Sequence, residues 1–544
     1  MASSRQFKLA KESELRVEVG PDMPLRIRLF SGTAEIFGTE LPPSNWLSIS
    51  PRSKIAVFTW NGATIELDGV SEVEYVADET PMVSYVNVHA ILDARRAQAK
   101  ASHSNNVDSL QGPRVIVVGP TDSGKSSLCK MLLSWACKQG WKPTYVDLDI
   151  GQGYITIPGC IAATPVEMPI DAVEGIPLEM PIVYFYGHTS PTANGDLYKV
   201  FVKELARTLE RQFSGNAEAR AAGMVINTMG WVEGLGYELL LNAIDTFNCD
   251  VVLVLGQLNV DITGLIDFQF LLCKSASIHF CLADIVLGTC QRAFAFLIGL
   301  LLYCLQEKLC SMLKEVLKTK PKVDVVKLHK SGGIVMRNQK VRQKARSLKI
   351  REYFYGPIND LSPHSNIVNF SDISVYRIGG GPQAPRSALP IGAEPVADPT
   401  RVVAININRD LLHLVLAVSY AKEPDQIISS YTNYPSSLSD EHVIVLSVDP
   451  QQQQDTSLPR LLEGRGGFIK DRMGVMVLAD LGVSIYASKL ACAIDIFVHC
   501  SNVAGYIYVT DIDVVRKKIT YLAPCPGELP SKLLIVGTLT WLEG

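Results

Sequence analysis

The segment that most constrains the fold of this chain is residues 119–126, GPTDSGKS, which matches the pattern G-x-x-x-x-G-K-[ST]. It follows the β-branched run Val115–Val118 and leads into Ser126–Lys138, where apolar residues recur at helical spacing until Gly140. A buried strand, a glycine-rich turn and a helix in this order are typical of a phosphate-binding loop. Further strands alternate with helical segments, which predicts an α/β fold around a parallel sheet. The predicted strands are Val115–Val118, Thr144–Leu148, Ile182–Tyr186, Met224–Asn227, Val251–Leu255 and Val323–Leu328.

The chemistry expected of this loop is the binding of nucleotide phosphates. Glycines let the backbone curl so that successive N–H groups point at phosphate oxygens, and the N-terminus of the following helix favours an anion. Lys125 would reach the β- and γ-phosphates, and the Ser126 hydroxyl would bind Mg²⁺. The alternative is a chance glycine-rich turn, which the flanking strand and helix disfavour.

Two acidic residues stand at the end of the next predicted strand. Asp147 and Asp149 share one face because side chains alternate along a strand. Both reach the carboxyl end of the sheet, where α/β proteins bind ligands. One carboxylate can hold Mg²⁺ or accept a proton from an attacking hydroxyl, and Gln152 can orient the nucleophile or a metal-bound water. The alternative is a solvated pair of strand-end acids.

A basic run and a tryptophan are two further candidates. Arg337–Arg351 contains seven Lys or Arg residues and no acid. Such a run is usually a solvated helix face. Beside a phosphate loop it can instead be a lid that neutralises a transferred phosphoryl group through Arg337 or Arg342, or a patch that binds a nucleic-acid backbone. Trp231 follows Asn227 at another strand end and either packs in the core or stacks on a base.

The 544 residues allow two to four domains. We predict an N-terminal β domain over residues 1–101, a P-loop domain over 114–355 and a C-terminal mixed α/β domain over 356–544, with a linker at Ser102–Pro113. Asn61-Gly62 between two apolar runs predicts a two-residue β-hairpin in the first domain. A helix near Asp410–Tyr420 is predicted in the last.

Composition excludes several classes of protein. Hydrophobic residues make up 47% of the chain and charged residues 19%, which is typical of an ordered protein with large cores. The net charge of −4 excludes a uniformly basic surface, so any polyanion site must be local. The twelve cysteines show neither disulfide nor zinc spacing, so we expect a reduced intracellular protein. We expect no secretory signal, because the N-terminal segment has no apolar run. We expect no membrane span, because the apolar run Ala293–Leu305 is shorter than the roughly 20 residues a span needs.

Taken together, the motifs resemble one family. The segments GPTDSGKSS, YVDLDIGQG, YGHTSP, INTMGW and SGGIVMR look like those of the eukaryotic polynucleotide 5′-hydroxyl kinases, and within them the kinase-like subunit of pre-mRNA cleavage complex II. The resemblance implies a β domain, a P-loop kinase domain and a C-terminal α/β domain. It also implies transfer of the γ-phosphate of ATP to the 5′-hydroxyl of RNA, and a nuclear role in mRNA 3′-end formation. The implied partners are a cleavage complex II protein that binds the polymerase tail and the tRNA-splicing endonuclease.

The resemblance assigns roles to individual residues. It implies that Asp149 is the general base and that Arg337 and Arg342 are lid arginines. Mg²⁺ would be held by Ser126 and Asp149. The ATP-binding residues would be Glu14, Lys54, Gly119, Thr121, Asp122, Ser123, Gly124, Lys125, Ser126 and Ser127. The residues that hold the RNA 5′ end would be Gln152, Thr189, Asn227 and Trp231, with Trp231 stacking on the terminal base.

Two stretches do not follow the family pattern. In that pattern the strand ending at Gly256 runs directly into Glu307, and Ser430 leads almost directly into Asn502. We therefore predict that residues 258–306 and 431–500 are insertions foreign to the family fold.

Three functions remain open at this point. The first is an ATP-dependent RNA 5′-hydroxyl kinase, which the filled catalytic positions favour. The second is an ATP-binding scaffold of the cleavage machinery without kinase turnover, which the insertions favour. The third, a P-loop NTPase with another substrate, is disfavoured by the motifs that match the family's RNA clasp and lid.

Overall fold

The computed structural model describes residues 4–101, 111–176, 181–256, 306–318, 323–356, 361–379, 398–428, 469–470, 476–477 and 503–542. The chain divides into two compact units. The first contains Met1–Pro177, His188–Leu361 and Glu543–Gly544, and the second contains Leu178–Gly187 and Ser362–Leu542. The predicted linker lies outside the described residues except for residues 111–113.

The first unit begins with a β-sandwich, as the alternating N-terminal pattern predicts. Strands β1, β8, β3 and β6 form one sheet in that order, and β5, β4, β7, β2 and β9 form the other. Side chains such as Leu15, Ile27 and Leu67 are fully buried in its core. The strands are β1 (Arg5–Leu9), β2 (Ser13–Val19), β3 (Leu25–Gly32), β4 (Glu35–Ile36), β5 (Thr39–Glu40), β6 (Trp46–Ile49), β7 (Lys54–Thr59), β8 (Ala63–Asp68) and β9 (Ser71–Ala77).

The predicted hairpin at Asn61-Gly62 is wrong. β7 and β8 flank this turn but belong to different sheets, so the chain crosses from one layer of the sandwich to the other. Gly62 has φ +104°, and its N–H donates to Thr59 Oγ1 at 2.9 Å. Ile55 and Ile65 are both buried, one in each sheet. Burial of these faces against each other outweighs the local preference for a hairpin.

The rest of the first unit is the P-loop domain. Its strands run in the order β12, β11, β14, β10, β15 and β16. The last five are parallel, and β12 is antiparallel to β11, so the sheet is mixed. The strands are β10 (Arg114–Val118), β11 (Thr144–Asp147), β12 (Cys160–Pro165), β14 (Met224–Asn227), β15 (Val251–Gly256) and β16 (Asp324–His329). The helices are α1 (Met82–Ala101), α2 (Lys125–Lys138), α3 (Gly195–Ser214), α4 (Ala217–Ala222), α5 (Leu235–Thr246), α6 (residues 306–317) and α7 (Gln339–Tyr355).

Five of the six predicted strands are the parallel strands β10, β11, β14, β15 and β16, and the sixth, at Ile182–Tyr186, is a strand of the second unit. The sequence pattern missed β12. Each of β10, β11, β14 and β15 is buried along its full length, as expected of strands covered on both faces. Their carboxyl ends lie at one edge of the sheet, where the phosphate loop also lies.

The second unit contains β13 (Ile182–Phe185) and a seven-stranded sheet in the order β17, β24, β23, β20, β25, β18 and β19. The predicted helix near Asp410–Tyr420 is wrong, because Val415–Ser419 is a strand at the centre of this sheet. All five of its residues are buried, so it carries no strand periodicity to distinguish it from a buried helix. The strands are β17 (His364–Asn369), β18 (Ser374–Ile378), β19 (Val402–Ile405), β20 (Val415–Ser419), β23 (Val503–Asp513), β24 (Lys518–Ala523) and β25 (Leu533–Val536), with a separate pair β21 (Ile469–Lys470) and β22 (Met476–Val477).

The two predicted insertions lie outside the described residues except for Gln306, β21 and β22. Gln306, the last residue of the first predicted insertion, is fully buried. Its Nε2 donates to the carbonyl oxygens of Val254 at 3.1 Å and Leu328 at 3.0 Å. Gln306 therefore belongs to the packing of the P-loop sheet.

Candidate nucleotide and polynucleotide site

A cavity of about 1300 Å³ opens at the carboxyl edge of the P-loop sheet, entirely within the first unit. The phosphate loop, residues 149–154 after β11, residues 189–192, residues 229–231 and helix α7 form its walls together with the β-sandwich. The predicted site residues that line it are Glu14, Lys54, Thr121, Asp122, Ser123, Gly124, Lys125, Ser126, Ser127, Asp149, Gln152, Thr189, Trp231, Arg337 and Arg342.

The phosphate loop needs its glycines for conformation and for space. Gly119 and Gly124 have φ +154° and +91°. A Cβ at Gly119 would lie 2.5 Å from the carbonyl oxygen of Leu255, and one at Gly124 would lie 2.5 Å from Ile334 Cδ1. The loop can therefore curl at the N-terminus of α2, where its N–H groups favour an anion.

Lys125 is folded back on the loop that carries it. Its Nζ donates to the carbonyl oxygens of Gly119 and Pro120, each at 2.9 Å. Burial lowers the pKa of Lys125 to about 8, although Asp149 and Asp122 oppose the shift. The ammonium is thus held inside the loop and needs only to leave two carbonyls to meet a phosphate.

Asp122 connects the phosphate loop to the basic run. Its buried carboxylate accepts from the backbone N–H of Arg337 at 2.9 Å and from Arg337 Nε at 2.9 Å. Arg342 Nη2 donates to the same carboxylate at 2.5 Å. The start of the basic run is therefore tied to the phosphate loop, and both predicted lid arginines are paired with an acid.

Asp147 and Asp149 lie together but have different roles in the structure. Asp147 is buried and accepts from Asp149 N–H at 3.1 Å, Tyr154 N–H at 2.6 Å and Asn227 Nδ2 at 3.0 Å. Burial, together with the charge of Asp149, raises the pKa of Asp147 to about 6. Asp149 lines the cavity, and its Oδ1 accepts from the N–H groups of Gly151 and Gln152. Asp147 therefore shapes the loop, and Asp149 presents a carboxylate to the cavity.

The four predicted RNA-binding residues occupy different positions. Gln152, Thr189 and Trp231 line the cavity, and Trp231 also packs against Gly236, where a Cβ would lie 2.5 Å from its Cγ. Asn227 is 1% exposed and donates to Asp147. Asn227 is not among the residues that line the cavity, and its contact is with the carboxylate below it.

Arg346 is one of the residues of this site that the sequence did not single out. Its Nε donates to the carbonyl oxygen of Gly151 at 2.8 Å, and it lines the cavity. Burial lowers its pKa, and the charge of Asp149 opposes this. The signal was its spacing of four residues from Arg342, which places both on one face of a helix.

The β-sandwich contributes the two residues that only the resemblance indicated. Glu14 is buried and accepts from Arg16 Nε at 2.5 Å and Thr80 Oγ1 at 2.8 Å. Lys54 is paired with Glu18. Both line the cavity, so the sandwich forms part of the same wall as the phosphate loop.

The donor set fits ATP and Mg²⁺. Ser126 and Asp149 offer one hydroxyl and one carboxylate, which suits a cation that takes few protein oxygens and completes its shell with phosphate and water. Ser123 Oγ and Gln152 Nε2 are buried without a hydrogen-bond partner among the described residues. In the ranges that the structure describes, no group of three or more His, Cys, Asp or Glu side chains forms a metal cluster, and the six cysteines form no disulfide. Every helix in these ranges is too short or too polar to span a membrane.

Three family models match the chain. Residues 8–99 match the N-terminal β-sandwich domain of polyadenylation factor. Residues 119–267 and 290–356 match the P-loop of mRNA cleavage and polyadenylation factor CLP1, and residues 361–454 and 476–543 match the pre-mRNA cleavage complex II protein Clp1. The last two matches leave out residues 268–289 and 455–475, which lie within the two predicted insertions, and they include the remaining residues of both predicted insertions.

Known proteins resemble the chain over its full length. A protein CLP1 homolog of Arabidopsis thaliana is 54% identical over 543 residues, covering 100% of this chain and 95% of the relative. The polyribonucleotide 5′-hydroxyl-kinase Clp1 of Gallus gallus is 37% identical over 538 residues, covering 99% of this chain and 96% of the relative. The solved structure of a wild-type Clp1p–Pcf11p complex matches with a TM-score of 0.64 at 19% identity, covering 100% and 99% of the two chains, and shows that the fold is shared.

Proposed function

Because the chain belongs to the Clp1 family of mRNA cleavage and polyadenylation factors, we propose that it is an ATP-dependent polynucleotide 5′-hydroxyl kinase. The substrate proposed is RNA with a free 5′-hydroxyl. The relatives from Gallus gallus and Mus musculus that are named polyribonucleotide 5′-hydroxyl-kinase Clp1 support this proposal.

One observation carries the kinase assignment. Lys125, Asp149 and Arg346 line the same cavity, and the electrostatic influence of Asp149 reaches both cations. A phosphate-binding lysine, a carboxylate that can accept a proton and a lid arginine are the groups that phosphoryl transfer to a hydroxyl requires.

The positions of these residues support the following mechanism. The N–H groups of the phosphate loop and Lys125 bind the phosphates of ATP, and the β-sandwich residues Glu14 and Lys54 contact the nucleoside. Mg²⁺, when held by Ser126 and Asp149, supplies positive charge to the phosphate oxygens. Asp149 accepts the proton of the RNA 5′-hydroxyl as the hydroxyl oxygen attacks the γ-phosphorus of ATP, and the bond from that phosphorus to the β,γ-bridging oxygen breaks to release ADP.

Three further residues complete this mechanism. Trp231 positions the terminal base by stacking. Arg342 and Arg346, on one face of α7, stabilise the charge on the transferred group.

The test of this mechanism is Asp149→Asn in the full chain. A neutral amide keeps the shape of the side chain and cannot take the proton, so we expect loss of phosphoryl transfer from labelled ATP to a 5′-hydroxyl oligoribonucleotide. ATP binding, measured by calorimetry on the same preparation, should stay within about threefold of wild type. Full turnover by Asp149→Asn would show that Asp149 is not the base.

We further propose a nuclear role in pre-mRNA 3′-end processing, with the cleavage complex II partner that binds the polymerase tail. The family descriptions support this role, and so does the solved complex of the related Clp1p with Pcf11p. The proposed association with the tRNA-splicing endonuclease rests on the family resemblance alone.

The alternative function is an ATP-binding scaffold without turnover. The pairing of Arg337 and Arg342 with Asp122 favours it, because arginines neutralised by a carboxylate are not free to meet a phosphoryl group. Asp122→Asn distinguishes the two functions. In a kinase that opens these pairs during turnover, the substitution should raise or preserve the rate. In a scaffold, neither the wild type nor Asp122→Asn transfers phosphate to RNA, and the substitution changes only ATP binding.

A further inference from the structure

Two lysines and a tyrosine form a cationic surface in the cavity wall, apart from the phosphate loop and Asp149. Lys130 Nζ lies 3.6 Å from the ring centroid of Tyr154, and Lys349 Nζ lies 5.6 Å from the same centroid. All three side chains line the cavity. We call Lys130, Tyr154 and Lys349 the ammonium shelf.

With Lys130 protonated, the shelf carries two ammonium charges against one paired carboxylate, that of Glu352. Lys349 Nζ is paired with Glu352 Oε2 at 2.8 Å. Lys130 Nζ has no hydrogen bond or ion pair to a residue in the described ranges, and its contacts are the rings of Tyr154 and Phe37. Burial and the charge of Lys349 lower the pKa of Lys130 to about 7. Because two ammonium groups held against one ring repel each other, a bound anion would lower the energy of this arrangement.

The position of the shelf relative to Asp149 and the phosphate loop indicates which kind of anion the shelf binds. Tyr154 lies in the same loop as Asp149, and its N–H donates to Asp147 Oδ2 at 2.6 Å. Lys349 follows Arg346 by one turn of α7. Lys130 lies five residues beyond Lys125 on α2, about 7.5 Å farther from the end of the helix that binds phosphates. The shelf therefore extends the cavity from Asp149 away from the phosphate loop.

We propose that the ammonium shelf binds a backbone phosphate of the polynucleotide whose 5′-hydroxyl faces Asp149. This inference rests on the proposed function for the identity of the substrate. A phosphodiester brings the single negative charge that the shelf lacks, and ammonium groups contact it as point charges without recognising a base. The shelf thus gives the site a requirement for a polynucleotide without a preference for its sequence.

The experiment measures RNA binding without phosphoryl transfer. Fluorescence anisotropy with a labelled 5′-hydroxyl oligoribonucleotide, in the absence of ATP, compares the full chain with Lys130→Gln, Lys349→Gln and Lys130→Arg. Each Gln variant should bind roughly tenfold more weakly and lower the slope of log affinity against log salt by about 0.7, and Lys130→Arg should restore most of the affinity.

The matched control is Lys340→Gln, which removes the same charge from an exposed position of α7 that does not line the cavity. Its RNA affinity should change by less than about twofold, as should the ATP affinity of every variant. Loss of ATP affinity with unchanged RNA affinity would assign the shelf to the nucleotide and overturn the proposal. Unchanged RNA affinity in folded Gln variants would also overturn it. If wild type binds RNA through the shelf but transfers no phosphate, only the proposed kinase function fails.

Discussion

At Lys125, burial and two carbonyl contacts set the properties of the ammonium group in the free protein. The sequence pattern predicts its role at the phosphates, because the loop motif fixes its place at the start of α2. The pattern does not indicate that its Nζ contacts the carbonyls of Gly119 and Pro120, or that burial lowers its pKa to about 8. Those properties depend on how closely the loop packs against the sheet.

ATP affinity should depend on pH through Lys125. Above about pH 8 the free protein holds a neutral amine at this position, whereas bound phosphates favour the ammonium form. ATP binding then takes up a proton, so the affinity should fall as pH rises from 8 to 9, by up to about tenfold. Calorimetric titrations at pH 7, 8 and 9 test this. Lys125→Gln should bind more weakly at every pH and lose this dependence; an equal dependence in the variant would assign the proton to another group.

Helix α7 carries the contacts that the sequence could only partly assign. The run of basic residues indicates a helix and a lid, but charge alone does not tell which arginines face the cavity. The structure places Arg342, Arg346 and Lys349 along the cavity, spaced four and three residues apart. Arg337, which precedes the helix, meets Asp122 through both its backbone and its side chain.

Arg346→Ala should lower kcat by roughly 10²–10³, because it removes a preorganised cation near Asp149. The KM for RNA should change less than kcat. The matched control is Arg351→Ala on the same helix, since Arg351 stacks on Tyr355 at 4.9 Å and does not line the cavity. Steady-state transfer rates of the three proteins decide the point. An unchanged kcat in Arg346→Ala would limit this arginine to holding the carbonyl of Gly151.

Other elements show where local sequence signals fail. The parallel strands were predictable because continuous apolar runs are typical of strands buried on both faces. The Asn61-Gly62 turn was misjudged because its flanking strands are paired by the sandwich core and not with each other. Val415–Ser419 was misjudged because a strand buried on both faces has no period. At Asn61-Gly62, tertiary packing therefore outweighs a local preference.

At the scale of the whole molecule, the site depends on the β-sandwich and the P-loop domain together. Glu14 accepts from Ser331 Oγ at 3.4 Å, and a Cβ at Gly333 would lie 2.6 Å from Arg16 Cδ. The sandwich therefore contacts the segment that leads into the lid. The sequence did not indicate this contact, because the residues lie more than 300 positions apart.

The first predicted insertion can be tested by deletion, since its described flanks are in contact. A Cβ at Gly256 would lie 2.1 Å from the side-chain carbon Cδ of Gln306, so the side chain of Gln306 packs against the end of β15. We expect the variant lacking residues 258–305 to fold and keep its kinase activity. A variant that also lacks Gln306 should be less stable by about 1–3 kcal/mol, because two sheet carbonyls lose their donor.

Thermal unfolding and solubility compare these two deletions with the full chain. Loss of folding in both would contradict the insertion hypothesis for residues 258–305. Equal stability of the two would contradict the role given to Gln306.

The most direct test of the kinase assignment is phosphoryl transfer by the purified full chain. Labelled ATP and Mg²⁺ are incubated with a 5′-hydroxyl oligoribonucleotide, and the same oligoribonucleotide with a 5′-phosphate serves as control. We predict label on the 5′-hydroxyl substrate alone, with transfer abolished by Lys125→Ala. A folded, ATP-binding wild-type protein that leaves the 5′-hydroxyl RNA unlabelled would contradict the kinase and favour the scaffold.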